Sequence, residues 1–125
     1  MIPERYASHL HALLRIVAAF LYMTHGLQKL FGLFDGNVVE LLSLPGAAGV
    51  IETVAGALIL VGLFTRPVAF LASGQMASAY FIAHSSRAIW PVLNGGELAA
   101  MFCFVFLYLA ARGAGPFSLD SLRAG

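Results

Sequence analysis

The run from Ile16 to Phe34 constrains this chain most, because it is apolar over a length that can cross a bilayer. A membrane-spanning helix needs about 20 mostly apolar residues. Near its end the run carries His25, Gln28 and Lys29, which are spaced i, i+3 and i+4 and project from one face of a helix. Polar side chains at membrane depth are costly unless they have partners. The rest of the chain should therefore supply partners for these three residues.

The composition of the whole chain is that of an integral membrane protein. Of its 125 residues, 60% are hydrophobic and only 10% are charged, whereas soluble domains carry about 25% charged residues. The seven basic side chains are scattered, so they cannot form the patch that binds nucleic-acid phosphates. A single cysteine, Cys103, excludes an intrachain disulfide. The sequence therefore predicts one membrane domain and no nucleic-acid partner.

Four apolar runs separated by turn residues predict an all-α fold, a four-helix transmembrane bundle. Asp35-Gly36-Asn37, Thr65-Arg66-Pro67 and Asn94-Gly95-Gly96 supply the strongest turn signals. The single domain, residues 1–125, comprises an interfacial lead-in at 1–15, crossings at about 16–34, 47–64, 68–84 and 97–111, and a cytoplasmic tail at 112–125. Small residues at Gly49, Thr53 and Ala57 should let another helix approach the second crossing closely.

The distribution of basic residues predicts the orientation of this bundle in the lipid bilayer. Four crossings place both termini on the same side of the membrane. Lys29 and Arg87 fall on the other side, whereas the terminal side carries Arg5, Arg15, Arg66, Arg112 and Arg123. An excess of basic residues marks the cytoplasmic side. Both termini are therefore predicted to be cytoplasmic.

This topology gathers polar residues in the outer half of the bundle. The first and third helices run outward and end in polar residues, and the second and fourth run inward with Glu52 and Glu97 near their starts. We predict that Lys29 and Glu52 are electrostatic partners, because an unpaired buried charge is costly. The candidate ligand-binding residues are His25, Gln28, Lys29, Glu52, Gln75, Tyr80, His84, Arg87, Asn94 and Glu97. The sequence assigns no catalytic residue and no metal ligand.

Four ordered motifs resemble the DoxX family of small four-helix bacterial membrane proteins. They are His25–Gly32, Glu52 ahead of Gly56–Arg66, Asn94–Glu97 and Gly113–Asp120. The resemblance spans nearly the whole chain and implies a multi-pass protein of the bacterial cytoplasmic (inner) membrane. The family's name is attached to a subunit of a thiosulfate:quinone oxidoreductase, and relatives are associated with quinone or catechol stress and with redox partners. The resemblance thus implies a quinone-linked redox role, although no cofactor-binding signature accompanies the motifs.

Three functions remain open at this point. The outer pocket can bind a quinone or similar small ring, as part of an oxidoreductase subunit in which Lys29 or His25 donates to a carbonyl oxygen and Glu52 or Glu97 exchanges protons. Alternatively, the polar cluster is structural and the protein is a non-catalytic membrane subunit that docks a redox partner protein. In the third reading, His25 and His84 ligate a haem. A metal site built from both histidines and both glutamates has no support from local spacing, and a homo-oligomer is compatible with each reading.

Overall fold

The computed structural model describes residues 1–124, which contain helices and no β-strand. In chain order the α-helices are α1 (Ala7–Phe31), α2 (Leu44–Val61), α3 (Thr65–Ala79), α4 (Pro91–Asn94), α5 (Glu97–Arg112) and α6 (Leu119–Ala124). A short 3-10 helix, Glu4–Tyr6, precedes α1, and a π-helical turn, Tyr80–His84, follows α3. The predicted all-α class is therefore confirmed. The predicted tail runs to Gly125, which lies outside the described residues.

The four long helices occupy the four apolar runs, but their ends differ from the predicted ones. α1 begins at Ala7, so most of the expected interfacial lead-in is continuous with the first helix. It ends at Phe31, because Gly32 follows in the left-handed conformation with a φ of 70°. α2 begins earlier than predicted because Ser43 caps it, with its Oγ accepting the N–H of Gly46 at 3.1 Å. The segments expected as loop and tail contain the short helices α4 and α6.

The long helices pack as two close pairs, α1 with α2 and α3 with α5, which meet through contacts of α2 with α3 and of α1 with α5. A Cβ added to Gly26 of α1 would lie 2.5 Å from Thr53 Oγ1 of α2, so only glycine permits this close approach. Between the two pairs lies a core in which Tyr22, Ile59 and Phe106 are each 0% exposed. Gly49 and Thr53 therefore face α1, as the spacing predicts, whereas Ala57 is exposed and Gly56 instead packs against Met23 of α1.

The outer surface of the helices is apolar, and exposed side chains include Phe70, Phe81 and Phe104. Two helical segments, Glu4–Phe31 and Leu44–Val61, are long and apolar enough to cross a membrane. α3 and α5 have only 15 and 16 residues. The π-helical turn lengthens α3 by five residues. The described chain thus offers two candidate spans by length and composition, where the sequence predicts four crossings.

The residues after α5 close the bundle at the end where α1 starts. Arg15, which is 1% exposed, donates from its guanidinium to the backbone oxygens of Ala114, Phe117 and, at 3.4 Å, Leu60. A buried guanidinium is tolerated when backbone oxygens accept its protons in this way. The sequence assigned Arg15 only to the orientation of the bundle. The structure shows instead that it ties α1 to the C-terminal segment.

Asp120 anchors the same segment to the start of α3. Its carboxylate accepts the backbone N–H of Phe64 at 2.8 Å and that of Thr65 at 2.9 Å. Burial raises the pKa of the Asp120 carboxyl, but hydrogen bonds from Thr65 and Phe64 and the charge of Arg123 outweigh burial, so its net pKa is lowered. The carboxylate therefore acts as a cap for α3 that is supplied by a residue distant in sequence.

Candidate functional site

An open cleft of about 340 Å³ lies near the end of the bundle where α1 finishes. Its volume falls within the range of about 300–1,000 Å³ that is typical of small-molecule sites. The residues that line it come from all four long helices and from the turns beside them: Tyr22, His25, Lys29, Glu52, Met76, Ala79, Ala83, His84, Gly95, Leu98, Ala99 and Phe102. Apolar side chains thus form much of the wall, and four ionisable groups from the predicted set reach the cleft.

The centre of the cleft is an ion pair between α1 and α2. Lys29 Nζ lies 2.7 Å from Glu52 Oε1 and 2.9 Å from Oε2. The Glu52 side chain is 1% exposed and that of Lys29 is 31% exposed. Gly49 of α2 lies against the Lys29 side chain, so the two helices are close enough for the ammonium to reach both carboxylate oxygens. The predicted partnership of Lys29 and Glu52 is confirmed.

A chain of hydrogen bonds extends from this pair into the core. Gln75 Nε2 donates to Glu52 Oε2 at 3.0 Å, and the hydroxyl of Tyr22 donates to Gln75 Oε1 at 2.9 Å. An ionised carboxylate can only accept, so the amide NH₂ must face Glu52 and the amide oxygen must face Tyr22. Tyr22 itself is fully buried against Phe106, with ring centroids 4.7 Å apart. The position of the Glu52 carboxylate is therefore set from both sides.

Lys29 retains donor capacity beyond this pair. An ammonium group has three protons, and within residues 1–124 the partners of Lys29 Nζ are the two oxygens of Glu52. Glu52 in turn accepts three hydrogen bonds, two from Lys29 and one from Gln75. Because the Lys29 side chain is partly exposed and lines the cleft, it can donate to an oxygen atom of a ligand there.

Two histidines face the same cleft from different helices. The ring of His25 meets Phe102 edge-on, with centroids 6.3 Å apart. His84 Nδ1 lies 3.2 Å from the backbone oxygen of Asn94. Because that oxygen can only accept, Nδ1 carries the proton, and Nε2 of the neutral ring is left as an acceptor. The cleft thus combines a donor, Lys29, with an acceptor, His84.

Tyr80 and Asn94 hold the loop that positions His84. Asn94 is 1% exposed and donates from Nδ2 to the Tyr80 hydroxyl and to the backbone oxygen of Ala88, each at 3.0 Å. Its Oδ1 accepts the N–H of Gly96 at 2.8 Å. Both residues belong to the predicted set, but they contact each other behind the cleft and are absent from its lining. Their place in the structure is to fix the turn between the π-helical segment and α5.

The structure places Gln28, Arg87 and Glu97 away from the cleft. Gln28 donates from Nε2 to the backbone oxygen of Phe34 at 3.0 Å and so closes the end of α1. Arg87 and Glu97 are exposed. Glu97 stands in the first turn of α5, where a negative charge complements the helix dipole. The sequence placed these residues at a similar depth in the membrane. Whether a residue lines the cleft also depends on the rotation of its helix about the helix axis.

No set of three His, Cys, Asp or Glu side chains in residues 1–124 is arranged to hold a metal ion. His25, His84 and Glu52 line the cleft, but Glu97 does not. The structure therefore brings together only part of the four-residue metal site that the sequence left open.

Sequence analysis missed several side chains that shape the cleft. Tyr22 lies seven residues before Lys29 and so shares its helix face, a spacing that gives a detectable signal. Leu98 and Phe102 of α5 also line the cleft. Phe102 stands within an apolar run and Leu98 at its start, and nothing there separates a cleft-lining residue from a core residue.

A second cavity also reaches the ion pair. This apolar groove of about 470 Å³ lies between α2 and α3, and Lys29 and Gln75 form its polar end. The other lining residues are Leu44, Pro45, Ala47, Ala48, Ile51, Ser78, Ala79, Ile82 and Ala83. Lys29, Ala79 and Ala83 border both cavities. The ammonium therefore stands between the cleft and a groove that opens on the apolar side of the bundle.

Comparisons with known proteins identify the family of this chain. The DoxX family model matches residues 10–85, which include Lys29, Glu52, Gln75 and His84. An uncharacterized protein of Haemophilus influenzae is 39% identical over 125 residues, covering 94% of this chain and 93% of that protein. The inner membrane protein YphA of Escherichia coli is 32% identical over 119 residues, covering 85% of this chain and 84% of YphA. No solved structure matches the chain. On the family match and these two relatives, the chain belongs to the DoxX family of membrane proteins.

Proposed function

We propose that this protein is a multi-pass protein of the bacterial inner membrane, a four-helix transmembrane bundle with both termini in the cytoplasm, whose cleft binds the ring of a quinone or quinol. The apolar outer surface of the helices and the similarity to YphA, an inner membrane protein, support the membrane location. Arg15, Arg66, Arg112 and Arg123 all belong to the end closed by the C-terminal segment, which supports a cytoplasmic position for that end.

The observation that carries the ligand proposal is the pairing of polar groups inside the apolar cleft. A quinone ring needs donors for its carbonyl oxygens, and a quinol needs acceptors for its hydroxyl groups. Lys29 offers a donor that Glu52 does not use, and His84 offers Nε2 as an acceptor. Leu98 and Phe102 supply apolar and aromatic contact for the ring.

In this proposal Glu52 holds the Lys29 side chain at the edge of the cleft, and His84 Nε2 takes one proton from a quinol hydroxyl. The groove between α2 and α3 gives a membrane-soluble ring lateral access to Lys29. Oxidation of a quinol releases two protons and two electrons; His84 takes one proton, and the other proton and both electrons need an acceptor outside the cleft. The proposed redox role is therefore that of a subunit, with electrons passing to a partner redox protein.

Calorimetric titration of detergent-purified protein with a short-chain quinol tests the binding step. We expect saturable binding that weakens about tenfold or more in Lys29→Met, since a hydrogen bond to a charged group contributes about 1.5–3 kcal/mol. In His84→Ala binding should weaken about two- to tenfold, since a hydrogen bond between neutral groups contributes about 0.5–1.5 kcal/mol. The double variant Lys29→Met, Glu52→Gln guards against loss through misfolding, because it leaves no unpaired charge. Arg87→Gln, an exposed cation outside the cleft, serves as the matched control and should bind like wild type. Absent binding, or equal affinity in all variants, refutes the proposal.

One observation favours the alternative that the cluster is structural and the protein a non-catalytic subunit that docks a redox partner. Tyr22, Gln75, Glu52 and Lys29 form one continuous chain of hydrogen bonds, so each of these polar groups has a partner within the protein. Under this alternative the quinol titration shows no heat of binding, and substitutions at Lys29 or Glu52 change only stability. The same preparation tests the haem reading, because ligation by His25 and His84 would produce a Soret band.

A further inference from the structure

Another polar cleft, of about 390 Å³, is separate from the quinone cleft and from the groove between α2 and α3, and it lies at the opposite end of the bundle from the ion pair. The first turn of α3 contributes Arg66 to it, and the last turn of α5 contributes Arg112. The start of α1, together with the turn after α5, completes the lining: Ala7, Ser8, His11, Tyr108, Ala111, Gly115 and Pro116. Neither the quinone proposal nor the comparisons assign a role to this cleft.

The two guanidinium groups at this cleft are not neutralised by a carboxylate. Within residues 1–124, neither arginine forms an ion pair; the ion pair found there joins Lys29 and Glu52 at the other end of the bundle. Asp120 lines the adjoining groove, but both of its oxygens accept backbone N–H groups of α3. Arg66 and Arg112 are both exposed. The cleft thus presents two positive charges without a bound counter-charge from the described chain.

The floor of the cleft is fixed by hydrogen bonds between helices. His11 Nε2 lies 2.9 Å from the backbone oxygen of Gly113, and His11 Nδ1 lies 3.2 Å from the Tyr108 hydroxyl. Because the backbone oxygen only accepts, Nε2 carries the proton, and Tyr108 donates to Nδ1. The Arg66 side chain runs against Gly113, where an added Cβ would lie 3.3 Å from Nε. The site is therefore preformed around α1, α3 and α5.

We infer that this cleft binds the phosphate group of an anionic phospholipid, with Arg66 and Arg112 donating to its oxygens. A guanidinium fork matches phosphate oxygens in geometry and charge. Both arginines stand at helix ends, which is the depth at which lipid headgroups meet a membrane protein. Leu14, one turn along α1 from His11, is 42% exposed and offers apolar contact for the start of an acyl chain. Free phosphate shares the charge of the lipid headgroup but lacks this apolar part.

Native mass spectrometry of the full chain, released from detergent micelles, tests this inference. We expect one saturable adduct of phosphatidylglycerol, no comparable adduct of phosphatidylcholine, and no displacement by an equal concentration of inorganic phosphate. Removing one basic residue near a headgroup should cost roughly fivefold in affinity, so Arg66→Gln with Arg112→Gln should lose about thirtyfold. Arg5→Gln removes an exposed cation of the same end that is outside the cleft, and it should change affinity less than about twofold.

Three results would overturn the inference: equal loss in Arg5→Gln and in the double variant, equal binding of phosphatidylcholine, or displacement of the lipid by inorganic phosphate. The first would mean diffuse charge attraction, and the last would mean a site for a soluble phosphate compound. The pair Arg66→Lys and Arg112→Lys keeps the charge but loses the planar fork. It should bind with intermediate affinity, which separates a lost phosphate contact from a lost fold.

Discussion

Replacing Lys29 with methionine removes the counter-charge of a carboxylate that is 1% exposed. Glu52 then loses two of its three hydrogen-bond donors and keeps only Gln75, at 3.0 Å. Breaking a buried ion pair by removing one partner costs about 3–5 kcal/mol. Because Lys29 is 31% exposed and Gln75 remains bonded, we expect the lower limit, about 3 kcal/mol.

The reverse substitution should cost less. Glu52→Gln leaves the Lys29 ammonium unpaired, but that side chain can turn toward the open cleft and keep part of its solvation. The double variant Lys29→Met, Glu52→Gln has no buried charge and should recover about 2 kcal/mol relative to Lys29→Met alone. Wild type should therefore be the most stable and Lys29→Met the least stable. The double variant and Glu52→Gln should lie between them with similar stabilities.

Thermal unfolding in detergent, followed by circular dichroism, measures these differences. At about 3–5 °C for each kcal/mol in a chain of this size, Lys29→Met should melt roughly 10 °C below wild type. Arg87→Met, which removes an exposed cation outside the cleft, is the control and should stay within about 0.5 kcal/mol of wild type. The reasoning fails if Lys29→Met melts like this control. It also fails if the loss of stability in the double variant equals the sum of the losses in the two single variants.

Three further substitutions test the packing and the closed end of the bundle by the same unfolding measurement. Gly26→Ala forces a methyl to within 2.5 Å of Thr53 Oγ1 and should cost about 1–3 kcal/mol of stability. Gly74→Ala, where an added methyl meets nothing within 4 Å, should stabilise the protein by about 0.5–1 kcal/mol. Equal effects of the two substitutions would refute the close approach of α1 and α2. Asp120→Asn should cost about 1 kcal/mol at neutral pH. Because the folded-state pKa of Asp120 is lowered, this contribution is present above the unfolded pKa and is lost as the pH falls through the folded value, so wild type and variant should converge in acid. Arg15→Gln leaves buried backbone oxygens without donors and should cost at least about 3 kcal/mol, and Arg15→Lys should not restore it.

The ion pair could be predicted from the sequence because the prediction needs only the positions of two charged residues in consecutive apolar runs. Lys29 lies near the end of an apolar run and Glu52 near the start of the next one, so a helical hairpin brings the two to one depth. A charge at that depth needs a partner, and the small residues Gly49 and Thr53 identify the face of α2 that approaches α1. The all-α class follows from the same runs.

The burial of Arg15 under the C-terminal segment could not be predicted from the sequence. An arginine at the start of a membrane helix has the same sequence context whether it faces lipid headgroups or is buried under a loop. Its burial depends on the segment from Ala114 to Phe117 folding back across the bundle. The turn residues Gly113 and Gly115 predict that the chain bends there, but they do not say over which helix it passes.

The candidate cleft shows the same limit at the scale of single side chains. Sequence pattern predicts how deep each polar residue lies, but the cleft depends on rotation about each helix axis. Gln75 belongs to the predicted ligand-binding set, and its contacts in the structure join Glu52 to the Tyr22 hydroxyl. Tyr22 gives Gln75 one orientation, and through Gln75 it helps to hold the Glu52 carboxylate that keeps Lys29 in place. A tyrosine inside an apolar run is usually a core residue, and Tyr22 is one, at 0% exposed. Its hydroxyl nevertheless decides which way the polar groups of the cleft point, and only the relative rotation of α1 and α3 brings that hydroxyl to the amide.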